Sequence, residues 1–177
     1  MGVPHPPEKA GLFIAVLFSQ REILHAVSPI LGERFGEVLL SSPEYAWDHT
    51  HYYEIELGRP IVRRFFFFRK SFDPLILPEV KLETNAIEAA FTENGKRRIN
   101  LDPGYIMRSR IVLASAKDYS HRLYLGKGIY GEVALYYKDK RYNPFPYTYY
   151  DYRKPECLHI FDTAREHLQG LTDDIIE

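Results

Sequence analysis

Between Leu12 and Phe18 the chain reads Leu-Phe-Ile-Ala-Val-Leu-Phe, without one polar side chain. Such a run shows neither the alternation of a half-buried strand nor the one-sided stripe of a surface helix. It is also far shorter than the ~20 residues that cross a bilayer. It predicts a strand central in its sheet and covered on both faces. The segment Ile61 to Arg69, IVRRFFFFR, is strongly strand-forming, and its consecutive phenylalanines need cover on both sides.

The remaining elements follow from spacing and punctuation. Residues Met1 to Ala10, with three prolines, read as a loose arm (1–10) ahead of a single α+β domain over 11–177. Ser19 can cap a helix in which Ile23, Leu24, Val27, Ile30, Leu31 and Phe35 recur at helical spacing and which Gly36 closes. Pro29 should kink or split it. Glu37 to Leu40 is a short strand, and Ser42 to Gly58 is loop-like. Asp73-Pro74 opens a helix to about Thr92, with Leu77, Val80, Ile87 and Phe91 inward and Lys81, Asn85 and Glu88 on a neighbouring polar face. Asn94-Gly95 stops it, Arg97 to Leu101 gives another strand, and Asp102-Pro103-Gly104 reads as a turn. This β-α-β-β-α-β order is that of a ferredoxin-like sheet. Ile106 to Ser115 is ambiguous between helix and strand. His121–Leu125 and Ile129–Lys138 form a hairpin across Gly126-Lys127-Gly128. Arg141 to Tyr152 is an edge strand or aromatic loop, and Glu156 to about Gln169 is a closing helix. The fold class is therefore α+β, a mostly antiparallel sheet with a ferredoxin-like start, extra C-terminal hairpin strands and a closing helix.

Composition narrows function by exclusion. A net charge of −1 gives no whole-molecule field for DNA or an anionic membrane. The Leu12–Phe18 run lacks the flanks of a signal peptide. The single cysteine, Cys157, forbids an internal disulfide and points to a reducing compartment, so a cytoplasmic location is expected. Cys157 reads as a small buried apolar residue rather than a nucleophile.

Four motifs bear on chemistry. Gly126-Lys-Gly-Ile-Tyr-Gly131-Glu-Val133 is a literal GxGxxGxV, but no kinase catalytic loop or metal-binding triplet accompanies it. A strand follows the glycines, which excludes a dinucleotide fingerprint and leaves hairpin geometry. Ala114-Ser-Ala-Lys117-Asp118 faintly echoes a GTPase base-reading element, yet the chain has no GxxxxGK[ST] phosphate loop. The pair His49 and His51 has strand chelate spacing without an adjacent third ligand. The set Asp102, Lys117, Asp118, His121, Arg122 and Glu132 mixes carboxylates, cations and one histidine. If turns gather these residues, they suit a phosphate and a divalent cation; otherwise they form ion pairs at strand ends. A fifth feature is a strip between Tyr136 and Lys154 holding seven of the fourteen tyrosines and five basic residues, which could stack RNA bases or a protein partner.

Asn100-Leu-Asp-Pro-Gly-Tyr105, Val112-Leu-Ala-Ser115, Lys117-Asp118, His121-Arg122, Gly128-Ile-Tyr130, Glu132, Tyr147-Thr-Tyr149 and Asp151-Tyr-Arg153 together resemble the prokaryotic domain-of-unknown-function family 4416. Tyr52-Tyr53, Glu56, Gly58, Arg64-Phe65, Lys81 and Thr84-Asn85 extend the resemblance over nearly the whole chain after the arm. Some members of that family carry the label "GTP-binding protein", so GTP binding without a phosphate loop is one implied function. The resemblance also selects polar positions. Lys81, Asn85, Asp102, Lys117, Asp118, Arg122 and Arg153 are expected to bind a ligand, and His121 and Glu132 are the acid–base candidates. The expected ligand is an anionic small molecule, a nucleotide or phosphorylated metabolite, with which a divalent metal is compatible. The competing expectation is a non-catalytic protein that binds RNA or a protein partner through the tyrosine strip. A homo-oligomer is compatible with the exposed aromatics.

Overall fold

The computed structural model describes residues 2–176. Strand β1 (Ala10–Phe18) is followed by helix α1 (Arg21–Phe35), strands β2 (Val38–Ser41) and β3 (Tyr45–Ala46), the one-turn helix α2 (Glu54–Leu57) and the long strand β4 (Val62–Phe72). Helix α3 (Leu77–Ala90) leads through a small hairpin, β5 (Thr92–Glu93) and β6 (Lys96–Arg97), to β7 (Ile99–Ile106) and β8 (Arg110–Ser115). Then come β9 (Leu123–Gly126), β10 (Ile129–Lys138), β11 (Arg141–Pro144), helix α4 (Pro155–Glu166) and β12 (Thr172–Ile176).

The main sheet has the path β11-β10-β8-β7-β1-β4-β12. Within it, β7-β1-β4-β2 are neighbours in that order and all antiparallel, with α1 and α3 as crossovers. This is the split βαβ arrangement of a ferredoxin-like sheet. Every residue of β1 is buried. Its alternation sends Leu12, Ile14, Val16 and Phe18 toward α1 and α3, and Phe13 and Ala15 toward α4. The phenylalanines of β4 divide likewise, Phe66 and Phe68 to one layer and Phe65 and Phe67 to the other. Phe161 of α4 meets Phe13 edge-on at 5.1 Å between ring centres. The sheet therefore lies between two helical layers. No helix among the described residues is long and apolar enough to cross a membrane.

Several expectations change. Asp102-Pro103-Gly104 is no turn, since all three residues lie within β7, opposite Ala15, Ile14 and Phe13. β8 pairs with β7 only from Gly104 onward, so at Pro103 one flank of the strand is open and a residue without N–H is tolerated. Gly104 is there for closeness. A Cβ at that position would lie 2.4 Å from the Val112 carbonyl oxygen and 2.5 Å from the Phe13 ring. Ile106–Ser115 resolves into strand. α1 runs unbroken past Pro29, which stands on the solvent side, where water can serve the carbonyl it leaves open. Ser19 does not cap it; its hydroxyl donates to the Leu57 carbonyl instead. α3 ends two residues early because Thr92 enters the β5–β6 hairpin, whose Asn94 and Gly95 both take positive φ. His121 precedes its strand rather than opening it. The glycine turn between β9 and β10 is a hairpin connection as expected, with positive φ at Gly126, Lys127 and Gly128. Past α4 the chain adds β12, not anticipated, which pairs in parallel with the end of β4.

Candidate functional site

Four strands, β10, β8 and β7 and, across β1, β4, change character at the same end of the sheet. On the face that α4 covers, Phe65 and Phe67 of β4 are preceded by Arg63, and Gly104 and Ile106 of β7 by Asn100 and Asp102. Ile111 and Leu113 of β8 are followed by Ser115, and Ala134 of β10 is preceded by Glu132. Beyond the reach of α4 this polar end is roofed by two loops, one carrying Trp47 to Tyr53 and the other Tyr149 to Tyr152. The space between is a cleft of about 350 Å³. Arg63, Lys81, Arg97 and Lys117 are its cations, Asp102 and Glu132 its carboxylates, and Trp47, Tyr52, Tyr53, Tyr149 and Tyr152 its aromatic walls.

Most of these charges are already engaged with one another. The guanidinium of Arg63, a residue only 5% exposed, donates from Nε to Asp151 at 3.1 Å and sits over the Trp47 ring at 4.9 Å. Its Nη1 lies 3.9 Å from Asp102 Oδ2, beyond hydrogen-bond range. Lys81 reaches from α3 to the Leu101 carbonyl at 2.9 Å and Asp102 Oδ1 at 3.3 Å, while Asn100 donates to Asp102 Oδ2 at 2.7 Å. Burial works to raise the Asp102 carboxyl, but the charges of Lys81 and Arg63 bring it below the usual carboxylate range. Arg97 is clamped by Glu88 at 2.9 Å and Glu56 at 2.7 Å, and the other Glu88 oxygen accepts the Leu101 N–H at 2.6 Å. Lys117 differs. Its ammonium is bonded to the Tyr52 hydroxyl at 3.1 Å, lies 5.0 Å from that ring's centre, and has no carboxylate partner among the described residues.

Glu132 is held from behind. Its Oε2 accepts Arg122 Nε at 2.7 Å and lies 3.0 Å from His121 Nε2. Arg122 in turn donates to the Tyr149 hydroxyl at 2.6 Å and to the Lys117 carbonyl at 2.7 Å, and His121 stacks on Tyr147 at 4.2 Å. The second oxygen, Oε1, is buried without a partner. Trp47 Nε1, His49 Nδ1, Arg63 Nη1 and the Tyr152 hydroxyl are in the same condition, so five of the eight such atoms among the described residues belong to residues that line the cleft, and Arg64 Nε, Asp151 Oδ1 and Thr172 Oγ1 do not. Unmet buried polar atoms each cost about 1–3 kcal/mol, so their concentration in one place marks a polar site rather than a stability element. Burial holds the His49 imidazole below its ordinary pKa and pushes the Tyr53 and Tyr152 phenols up, leaving both hydroxyls protonated at neutral pH.

Of the residues singled out in the sequence, Lys81, Asn85, Asp102, Lys117 and Glu132 line the cleft, and His121 and Arg122 stand directly behind Glu132. Two lie apart. Asp118 is exposed in the turn after β8 and does not line the cleft. Arg153 clamps its own loop through the Thr148 and Pro146 carbonyls. Lys81 and Glu88, placed on a polar helix face, are both buried, because that face of α3 meets β7. His49 and His51 do not converge: His49 packs on Trp47 at 4.0 Å and His51 bonds to Glu54 at 2.6 Å. Among the described residues no group of three or more His, Cys, Asp or Glu is disposed to hold a metal ion. Sequence reasoning missed Arg63, Asn100, Arg97, Trp47 and Tyr53 as site residues. The available signal was an arginine, Arg63, two positions before Phe65 and so on the same strand face as Phe65 and Phe67.

Residues 8–168 match the family model described as "Domain of unknown function (DUF4416)". The chain belongs to that family. The match takes in every cleft residue of this DUF4416 protein, from Trp47 to Tyr152, and stops before β12. No curated protein and no solved structure matches the chain.

Proposed function

We propose that the cleft binds an anionic small molecule carrying a flat group, a nucleotide or a phosphorylated metabolite. One observation carries this reading: buried donors without acceptors, on Trp47, Arg63 and Tyr152, share one cleft with a lysine that has no carboxylate partner among the described residues and with a wall of aromatic rings. Donors in surplus call for a ligand rich in acceptor oxygens, the lysine for negative charge, and the rings for a planar body. The reading places the protein in the cytoplasm, on its single cysteine, and treats residues 11–177 as one working unit.

A second reading, an RNA or protein partner, rests on Tyr147, Tyr149 and Tyr150, which are 37%, 47% and 59% exposed at the cleft mouth. The strip is not continuous, since Tyr142 and Tyr152 are buried in the core.

A thermal-shift screen of the purified protein separates the two. Ribonucleoside mono-, di- and triphosphates, GTP among them, and sugar phosphates are offered with and without magnesium, because Asp102 and Glu132 are carboxylates at the cleft. A ligand at a hundred times its Kd stabilises by about 2.7 kcal/mol. The expected result is a higher melting temperature with at least one compound, abolished in Lys117→Ala. If no compound in the panel moves the transition, the small-molecule reading fails, and single-stranded RNA becomes the next probe.

A further inference from the structure

Resting on that reading, we infer that the ligand enters with a polarity: a hydrogen-bond donor edge goes first, onto Glu132 at the cleft floor, and the anionic group stays at the mouth beside Lys117. The ligand class is thereby narrowed to monoanionic or dianionic phosphates whose flat end carries an N–H or O–H.

The inference comes from which charges in the cleft are still unbalanced. Arg63 answers Asp151, Lys81 answers Asp102, and Arg97 answers Glu88 and Glu56. None of the three brings net positive charge to a newcomer. Lys117 does, and it is exposed, held over the Tyr52 ring at the rim. The carboxylates divide the same way. Asp102 has both oxygens engaged, by Lys81 and by Asn100. Glu132 has one engaged and one bare, in a residue only 3% exposed. Arg122 and His121, neither of which lines the cleft, both hold Oε2, so the group is fixed in rotation and its remaining oxygen is left as an acceptor.

A deeply buried acceptor and a rim ammonium set opposite demands at the two ends of one cleft. A phosphate driven to the floor would meet the Glu132 charge. A phosphate at the mouth keeps much of its hydration and meets only Lys117. The donor edge, which loses most water, receives the charged acceptor, the stronger kind of hydrogen bond. Tyr53, Tyr149 and Trp47 flank the path between. His121 and Arg122 are positioning residues here: they hold the carboxylate and do not line the cleft.

The test uses the full chain and isothermal calorimetry with the four ribonucleoside 5′-monophosphates, ribose 5-phosphate and inorganic pyrophosphate. The tightest organic probe should lose about tenfold or more in affinity in Glu132→Gln, whereas pyrophosphate binding is held or strengthened, since a negative charge has gone. Lys117→Ala should weaken pyrophosphate and the organic probes alike. Ribose 5-phosphate distinguishes the donor: a Glu132-dependent loss shared by it assigns a sugar hydroxyl, and a loss confined to nucleotides assigns the base. Should Glu132→Gln not fold, Glu132→Asp keeps the charge for Arg122 while drawing the carboxylate back by one methylene, and the same loss is expected. Organic probes that bind wild type and both Glu132 variants equally would overturn the polarity and leave the binding reading standing. Failure of every probe to bind wild type overturns this inference, and if no compound of the thermal-shift panel moves the transition either, the binding reading falls with it.

Discussion

At the residue scale the site is a set of charges that restrain one another. Asp102 is the shared acceptor of Lys81 and Asn100, with the Arg63 guanidinium 3.9 Å away as a further positive charge, and that role fixes its pH behaviour. Its carboxyl is held below the ordinary range when folded. It therefore contributes stability that is fully present above the unfolded value of about 4 and is lost as pH falls through the folded value. Asp102→Asn should cost about 2 kcal/mol near neutral pH, the worth of hydrogen bonds to a charged group. The difference from wild type should begin to shrink as pH drops below about 4 and vanish once pH has passed the lower folded value, where wild type is protonated at the same position. Urea midpoints of both proteins across acid pH check this, and parallel curves would refute it. These partners were partly legible in the sequence. Lys81, Asp102, Glu132, His121 and Arg122 stand out as polar residues of mixed sign, whereas Arg63 lies in a run that the sequence marks only as strand-forming. Its role depends on Asp151, far along the chain, and no local pattern joins the two.

At the element scale β7 carries most of the placement. It sets Asn100 and Asp102 toward the cleft, supplies the Leu101 carbonyl and N–H to Lys81 and Glu88, and admits Phe13 against Gly104. The Asp-Pro-Gly triplet has the residues of a turn. It is straightened by pairing with β1, where each of the three finds a partner in register. Local turn chemistry lost to a buried central strand, and only the apolar run of β1 could have warned of it. Gly104→Ala is expected to destabilise by about 3 kcal/mol, at the upper end of overpacking, because the atom it would strike at 2.4 Å is backbone. A shift under about 0.5 kcal/mol in chemical denaturation would show that β7 and β8 are free to part. By contrast β10 was legible to the residue, since its alternation is bounded by a glycine turn that takes the expected backbone.

At the scale of the whole molecule, the outer side of β4 is closed by three separate pieces. β3 takes Val62 and Arg63, β2 takes Phe66 to Phe68, and β12 takes Lys70 to Phe72. No sequence signal of strand length announced β12. It is five residues, carries Asp173 and Asp174, and forms because β4 offers an unpaired end and Ile176 has a buried seat there. Ending the chain after Leu171 should lower stability by about 2 kcal/mol for Ile176 alone and bare the Lys70–Phe72 end of β4 as an unpaired edge. Thermal denaturation and light scattering would register both, and an unchanged melt with no added scattering would mean that β12 covers nothing. The register at Phe72 reaches further than stability. Ala10 of β1 lies against it on one side and Ile176 of β12 on the other, so the first and last strands stand two strand spacings apart, roughly 10 Å. The path of the backbone is thus close to a ring. A bridge of a few residues from Ile176 to Ala10 would complete it, and the loop could be reopened at an exposed turn such as Asn94-Gly95 with every strand neighbour retained.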